Sequence, residues 1–355
     1  MSNFLEEIKL VKLRQVKTES IKDYSDPKLA GFLSKESLQN YQSNVLDCNF
    51  ENWYEKLKDV TFKSEFCPIE LSHAEIFIDF YKKWQSNKDI KENWKSLLKS
   101  NQLKEITELE SRLDNVISKF INDKNKYVFV KTSSRSAKDS PLTFKQFKDL
   151  YSSYFNSLTE TENLEENEQI KCLLKAAFEC LKVQKASQVI EMFFKSERIY
   201  QDMLLAVEKK ERFKENFIIR EFVQIDIDME FRGFVFNGKL TALSQYNYLI
   251  YSKRLNEQKS QIGELIKNFF NEKVSAKLEE FHKSYIIDFA VVQNMDCFVI
   301  EINPFLETTD SGLFSWQHER AILESNDTFC FRITERPKPG AKAMLPYSIR
   351  SLMSN

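Results

Sequence analysis

The chain has 355 residues, 42% of them hydrophobic, and balances 52 Lys and Arg against 53 Asp and Glu. That length suits two or three domains, and the composition excludes bulk disorder and a general polyanion binder. With 6 Gly, 7 Pro and 30 Phe, the loops are not glycine-rich and much of the core must be aromatic.

Residues 1–44 set charged and apolar residues at helical spacing and read as a peripheral extension. The stretch "VLDCNFENWYEKLKDVTFKSEFCPIEL" (45–71) predicts a short amphipathic helix around Trp53, then a strand. From Ser72 to about Asn125 the pattern is mostly helical, interrupted by a polar stretch at 85–90. "YVFVK" (127–131) is a strand ending in Lys131, followed by the polar loop "TSSRSAKDSP". Residues 143–213 are dominated by helical patterns, with the acidic "TETENLEENEQ" as a solvated connection. Strands return in "NFIIREFVQI" and in "MEFRGFVFNGKLTALSQYNY", where Asn237-Gly238 is a strong hairpin turn. A charged helix over about 253–280 precedes a last hairpin. The order is α+β with late antiparallel strands.

That last hairpin is "DFAVVQNMDCFVIEINPF" (288–305). Closing it over a two-residue turn at Asn294-Met295 sets Asp288 opposite Glu301, with Asn303 on the same face. Like charges directly opposed in a sheet are destabilising. Either the two carboxylates lie at strand ends in solvent, or a hard cation such as Mg²⁺ resolves the conflict through oxygen ligands. Lys131 ends a strand with no Gly-rich sequence before it, which excludes a Walker P-loop. Arg232 lies on a strand between aromatics and needs an anion partner; Arg220 lies in "IIREFV". Each signal alone is weak, but together these residues predict a Mg-nucleotide site between two sheets. The six Cys show no CxxC and no zinc-ligand spacing, and read as free thiols of an intracellular protein. No apolar run approaches a membrane span, and "MSNFLEEIKLVKLRQ" is no signal peptide, so a cytoplasmic location is expected.

Several blocks also occur in the order of a known family: 45–71, "VFVK" with its polar loop, "MFFKSERIY", "EFRGFV…SQY" and "EINPF…TDSGLFSW". From about residue 45 to 316 the chain resembles the cell division cycle protein 123 family. The resemblance implies an α+β, ATP-grasp-like two-lobed fold with antiparallel sheets and a helical insertion, holding ATP and Mg²⁺ between its lobes. The parts expected are an extension (1–44), an N-terminal lobe (45–139), the insertion (140–186), a C-terminal lobe (187–335) and a tail (336–355). It implies that Lys131 contacts ATP phosphates and that Arg220, Glu221 and Phe222 form the hinge beside adenine. Arg232 then approaches the phosphates, while Asp288, Glu301 and Asn303 hold Mg²⁺. The implied role is assembly of translation initiation factor two through its gamma subunit, docked on the N-terminal lobe, with no membrane and no direct nucleic-acid contact.

The chain departs from the family at three places. Glu301 stands where the family has Asp, "TSSRSAKD" replaces an Asn-Trp-Ser segment, and the stretch between Asp139 and Ser187 is longer. Two other functions are compatible with the residues. One is an ATP-grasp enzyme, a ligase or phosphoryl or nucleotidyl transferase, with its acceptor at the insertion. The other is an interaction protein with a vestigial site, in which removing Asp288 or Glu301 relieves repulsion and raises stability.

Overall fold

The computed structural model describes residues 35–86, 94–160, 165–325, 327–345 and 347–350. Its contacts divide the chain into two compact units, Met1–Asp47 and Cys48–Asn355. In the first unit a helix runs over Lys35–Asp47. The helical spacing expected for residues 1–34 lies outside the described residues, as do parts of the polar stretch at 85–90, the acidic connection and the end of the tail.

The second unit is built on two sheets. Strands β1 (Ser64–Ile69), β2 (Val128–Thr132) and β3 (Glu215–Glu221) form an antiparallel sheet in the order β1-β3-β2. Strands β4 (Glu230–Phe236), β5 (Lys239–Gln245), β6 (Tyr285–Val291), β7 (Cys297–Pro304) and β8 (Cys330–Arg332) form the other, in the order β7-β6-β4-β5-β8. All its pairings are antiparallel except that of β5 with the short β8. Pro68 in β1 sits on an edge strand, where a missing N–H costs no ladder bond.

In the smaller sheet, Val128, Val130, Phe217 and Ile219 pack into an aromatic-rich core with the helices Leu71–Ser86, Ser100–Ile117, Ala186–Phe194 and Glu197–Glu208. Side chains alternate along a strand. The intervening Lys131, Ile218 and Arg220 therefore occupy the other face, where Lys131 pairs with Ile218. That face meets β7 of the larger sheet.

The helix Phe50–Leu57 forms because its apolar residues recur at i, i+3, i+4 and i+7. Phe50, Trp53, Tyr54 and Leu57 are all buried, so the aromatics of this helix are core residues. Asn237-Gly238 closes β4 onto β5 with both residues at positive φ, 49° and 75°, as a two-residue turn of this hand requires. The helix expected over 253–280 is broken: Lys253–Glu257, Lys259–Phe269, a π turn over Phe270–Val274 and a 3₁₀ turn over Ser275–Leu278. Helices Lys145–Asn156 and Glu166–Glu179 lie in the expected insertion and share a small core with Ile250 and Ala341. None of the six cysteines is in a disulfide, and four of them are buried.

Candidate functional site

Period-two alternation splits the larger sheet into two faces. Phe231, Ile287 and Phe289 point into its main core. Arg232, Asp288, Glu301 and Asn303 take the opposite face, whose far end is closed by Phe234, Ile286, Phe314 and Trp316. Across β4, β6 and β7 the ladder sets Arg232 opposite Asp288 and Asp288 opposite Glu301.

The expected pairing of Asp288 with Glu301 is present, but it arises differently. The tip turns through Gln293–Met295, with Asn294 and Met295 at positive φ, and pairs Val291 with Cys297. This is one residue out of the register a two-residue turn would give. A bulge at Ile300 then restores it, because Phe289 pairs with Val299 while Asp288 pairs with Glu301.

Each carboxylate has its own cation. Arg232 donates through Nε to Asp288 Oδ1 at 2.9 Å and through a terminal nitrogen to Oδ2 at 2.8 Å. Its other terminal nitrogen donates to the Asp310 carbonyl at 2.8 Å. Lys131 Nζ donates to Glu301 Oε2 at 2.9 Å, joining the two sheets. Asn303 Nδ2 bridges the pair, 3.3 Å from Asp288 Oδ2 and 3.5 Å from Glu301 Oε1. The predicted Lys131, Arg232, Asp288, Glu301 and Asn303 thus form one connected group.

Three further residues belong to it. Lys138 donates to the Tyr246 hydroxyl at 2.5 Å, and the Arg232 guanidinium lies 4.9 Å from the Tyr246 ring centroid. Glu230, two residues before Arg232 on β4, is the third. Period two on β4 is the signal that could have found Glu230; Lys138 and Tyr246 lie in loops and carry none.

Electrostatics follow from burial and these contacts. Burial raises the Asp288 pKa, and Arg232 offsets only part of that rise. Burial would also raise Glu301, but Lys131, with Lys138 and Arg232, holds it below the usual carboxylate range. Burial, opposed by Lys138 and reinforced by Asp288 and Glu301, pushes Glu230 up to about 7. Burial disfavours charge on Lys138, yet Tyr246 and Glu230 raise its pKa.

Arg220 stands apart from this group. Its guanidinium lies 5.1 Å from the ring centroids of both Phe50 and Phe62. It donates to the Ile300 carbonyl and to Thr61 Oγ1, each at 2.8 Å. The side chain is therefore a strut between β3 and the bulge of β7. Glu221 is fixed to the Lys63 main chain by two bonds of 3.1 Å. Phe222 packs against Phe178 at 5.4 Å, under the Lys182 ammonium at 5.0 Å.

Among the described residues, no group of three or more His, Cys, Asp or Glu is placed to hold a metal ion. The donor set here is two carboxylates and an amide, and it fits a hard divalent cation that brings phosphate oxygens as its remaining ligands. A half-turn of the Asn303 amide would present its oxygen beside Asp288 and Glu301. The three cations fit a triphosphate, so the residues present suit Mg²⁺ with ATP.

This architecture is that of a mixed helix-and-sheet protein built on two largely antiparallel sheets. The sequence pattern described as D123 matches residues 165–351, about half of the chain. The chain belongs to the D123 family, the cell division cycle protein 123 family of the sequence resemblance. The match takes in the helix Glu166–Glu179 and the tail as far as 351, neither of which the quoted motifs cover. The chain is similar to a "Translation initiation factor eIF2 assembly protein" of Candida albicans, 25% identical over 86% of this chain and 89% of that protein. A protein of the same name from Xenopus laevis is 31% identical over 38% of this chain and 43% of its own length. The solved structure of Cdc123 from Schizosaccharomyces pombe shares the fold, with a TM-score of 0.56 and 20% identity, covering 82% of this chain and 97% of that one. Among the described residues no helix is long and apolar enough to cross a membrane.

Proposed function

We propose that the protein is a cytoplasmic assembly factor for translation initiation factor eIF2 that binds ATP with Mg²⁺ and engages the gamma subunit. The eIF2 part is supported by the Candida albicans relative, matched over 89% of its length. The nucleotide part is carried by one observation: Lys131 and Arg232 meet Asp288, Glu301 and Asn303 in one partly buried group, with Lys138 beside it on Tyr246. In this reading Asp288, Glu301 and Asn303 hold the metal, and the bound nucleotide supplies the phosphate charge that the three cations face. Lys131, which holds Glu301 here, would be within the group that faces the phosphates, and Arg232 would keep Asp288 oriented through its two bonds. Main-chain groups of Arg220, Glu221 and Phe222 take the adenine edge. Because Trp53 and Tyr54 are buried, a partner docked on the block 45–71 would meet its exposed Glu55 and Lys56.

The deciding experiment is thermal unfolding with and without ATP and excess Mg²⁺, for the wild type and for Lys131→Met. A ligand at a hundredfold excess over its dissociation constant stabilises by about 2.7 kcal/mol. A Mg-dependent rise in the wild type that is lost in Lys131→Met supports the nucleotide site; no rise at saturating nucleotide overturns it. Co-purification with isolated eIF2 gamma subunit tests the partner separately, and its absence overturns that half alone.

A further inference from the structure

Beyond the carboxylate group, β8 leads into a proline-rich segment that walls an open groove of ≈ 720 Å³. Leu313, Pro337, Pro339 and Met344 give it apolar walls, and Met344 is 62% exposed. Four cations line it. Two are already neutralised: Lys259 by Glu335 at 2.8 Å and Arg332 by Glu319 at 2.7 Å. Arg336 and Lys338 have no carboxylate partner among the described residues. Lys338 instead lies 5.2 Å from the Tyr248 ring centroid, and burial without an offsetting acid lowers its pKa. A cation held over a ring at the edge of an apolar trough, with no acid to meet it, offers a place to an anion.

We propose that this groove binds an acidic peptide segment of a partner protein that alternates carboxylate and large apolar side chains. Carboxylates pair with Arg336 and Lys338, and an apolar side chain covers Met344 and the proline walls. The size argues against a lone phosphate, which would leave most of the groove empty. A single-stranded nucleic acid needs aromatic platforms for its bases. The large exposed hydrophobics among the described residues are only Tyr127 and Met344, and Met344 alone lines the groove. The groove lies beside the carboxylate group, since the Tyr248 hydroxyl reaches Asp310 Oδ2 at 3.5 Å and the Asp310 carbonyl accepts from Arg232. Binding there does not depend on nucleotide.

The test is fluorescence anisotropy of a labelled peptide of alternating Glu and Leu against the full chain, with a Gln/Leu peptide as comparison. The acidic peptide should bind and the amide peptide should bind at least about tenfold more weakly, one charge-assisted contact being worth roughly that factor. Arg336→Glu with Lys338→Glu should abolish binding, and Met344→Ala should weaken it about threefold, as loss of part of one apolar contact implies. Asp288→Asn should leave it unchanged, which separates this result from failure of the nucleotide site. No binding, equal binding by the charge-reversed variant, or full displacement by millimolar inorganic phosphate would each overturn the proposal. So would tighter binding of a labelled single-stranded RNA at the same salt concentration. Lys338→Gln, which keeps the stem over Tyr248, should also weaken the peptide and guards against a folding defect in the double variant.

Discussion

Arg232 grips both oxygens of Asp288 from the neighbouring strand, at 2.9 and 2.8 Å, while Glu301, directly opposite Asp288, is held by Lys131. The like charges of the hairpin are therefore compensated separately. Asp288 is fully buried, so Asp288→Ala leaves a buried guanidinium short of its partner and should destabilise by about 3–5 kcal/mol. This is opposite to the gain expected from relieving repulsion. Urea unfolding of wild type, Asp288→Ala and Asp288→Asn checks it; a more stable Ala variant would sink the account.

Lys131 also fixes the acid limit of stability. Glu301 has a folded pKa below its unfolded value, so its contribution is present above the unfolded carboxylate range and is lost as pH falls through the folded value. Lys131→Met removes the nearest cation. Acid unfolding, followed by circular dichroism from pH 6 downward, should then begin at a higher pH than in the wild type.

Glu230 works in the other direction. Its folded pKa of about 7 exceeds the ordinary 4.5, so the folded state binds its proton more tightly. Stability from this group is complete below the unfolded value and falls as pH rises through about 7. The loss is on the order of 3 kcal/mol at most, since each tenfold gain in proton affinity is worth about 1.4 kcal/mol. Glu230→Gln should therefore gain on the wild type at pH 8 and match it near pH 4. Melting curves across that window would show no such divergence if Glu230 stayed ionised.

The loop that closes the site depends on Gly312. Its φ of +62° disfavours any side chain, and a Cβ there would stand 2.4 Å from Ser244 Oγ, which accepts from the Leu313 N–H. Gly312→Ala should cost roughly 1–3 kcal/mol from backbone strain and the clash. Adding Ser244→Ala should return little, because it also removes that acceptor. Full recovery of thermal stability in the double variant would show that the clash alone mattered.

The face shared by Glu301 and Asn303 was legible because side chains on a strand alternate; Asp288 joins it as expected only because the bulge at Ile300 cancels the one-residue shift of the turn. The Asn237-Gly238 turn was legible because few residue pairs accept two positive φ values. What stayed hidden required distance. Lys131 reaches Glu301 across 170 positions of chain, and Lys138 reaches Tyr246 across 108. Arg220 read as a hinge element, yet its side chain answers a carbonyl exposed by a bulge that no local pattern announces. The three-residue β8, which pairs parallel with β5, is too short to leave a periodic trace.

The bulge at Ile300 has a consequence for how such a hairpin can vary. It separates the phase of the tip from the phase of the half that carries Asp288 and Glu301. Without it, a regular strand would keep Asp288 opposite Glu301 only with a tip one residue longer, because Val291 would then pair with Phe298 instead of Cys297. The length of the loop at Asn294 and the position of the acids are thus independent variables. Arg220, by binding the displaced Ile300 carbonyl, is the catch that keeps them so.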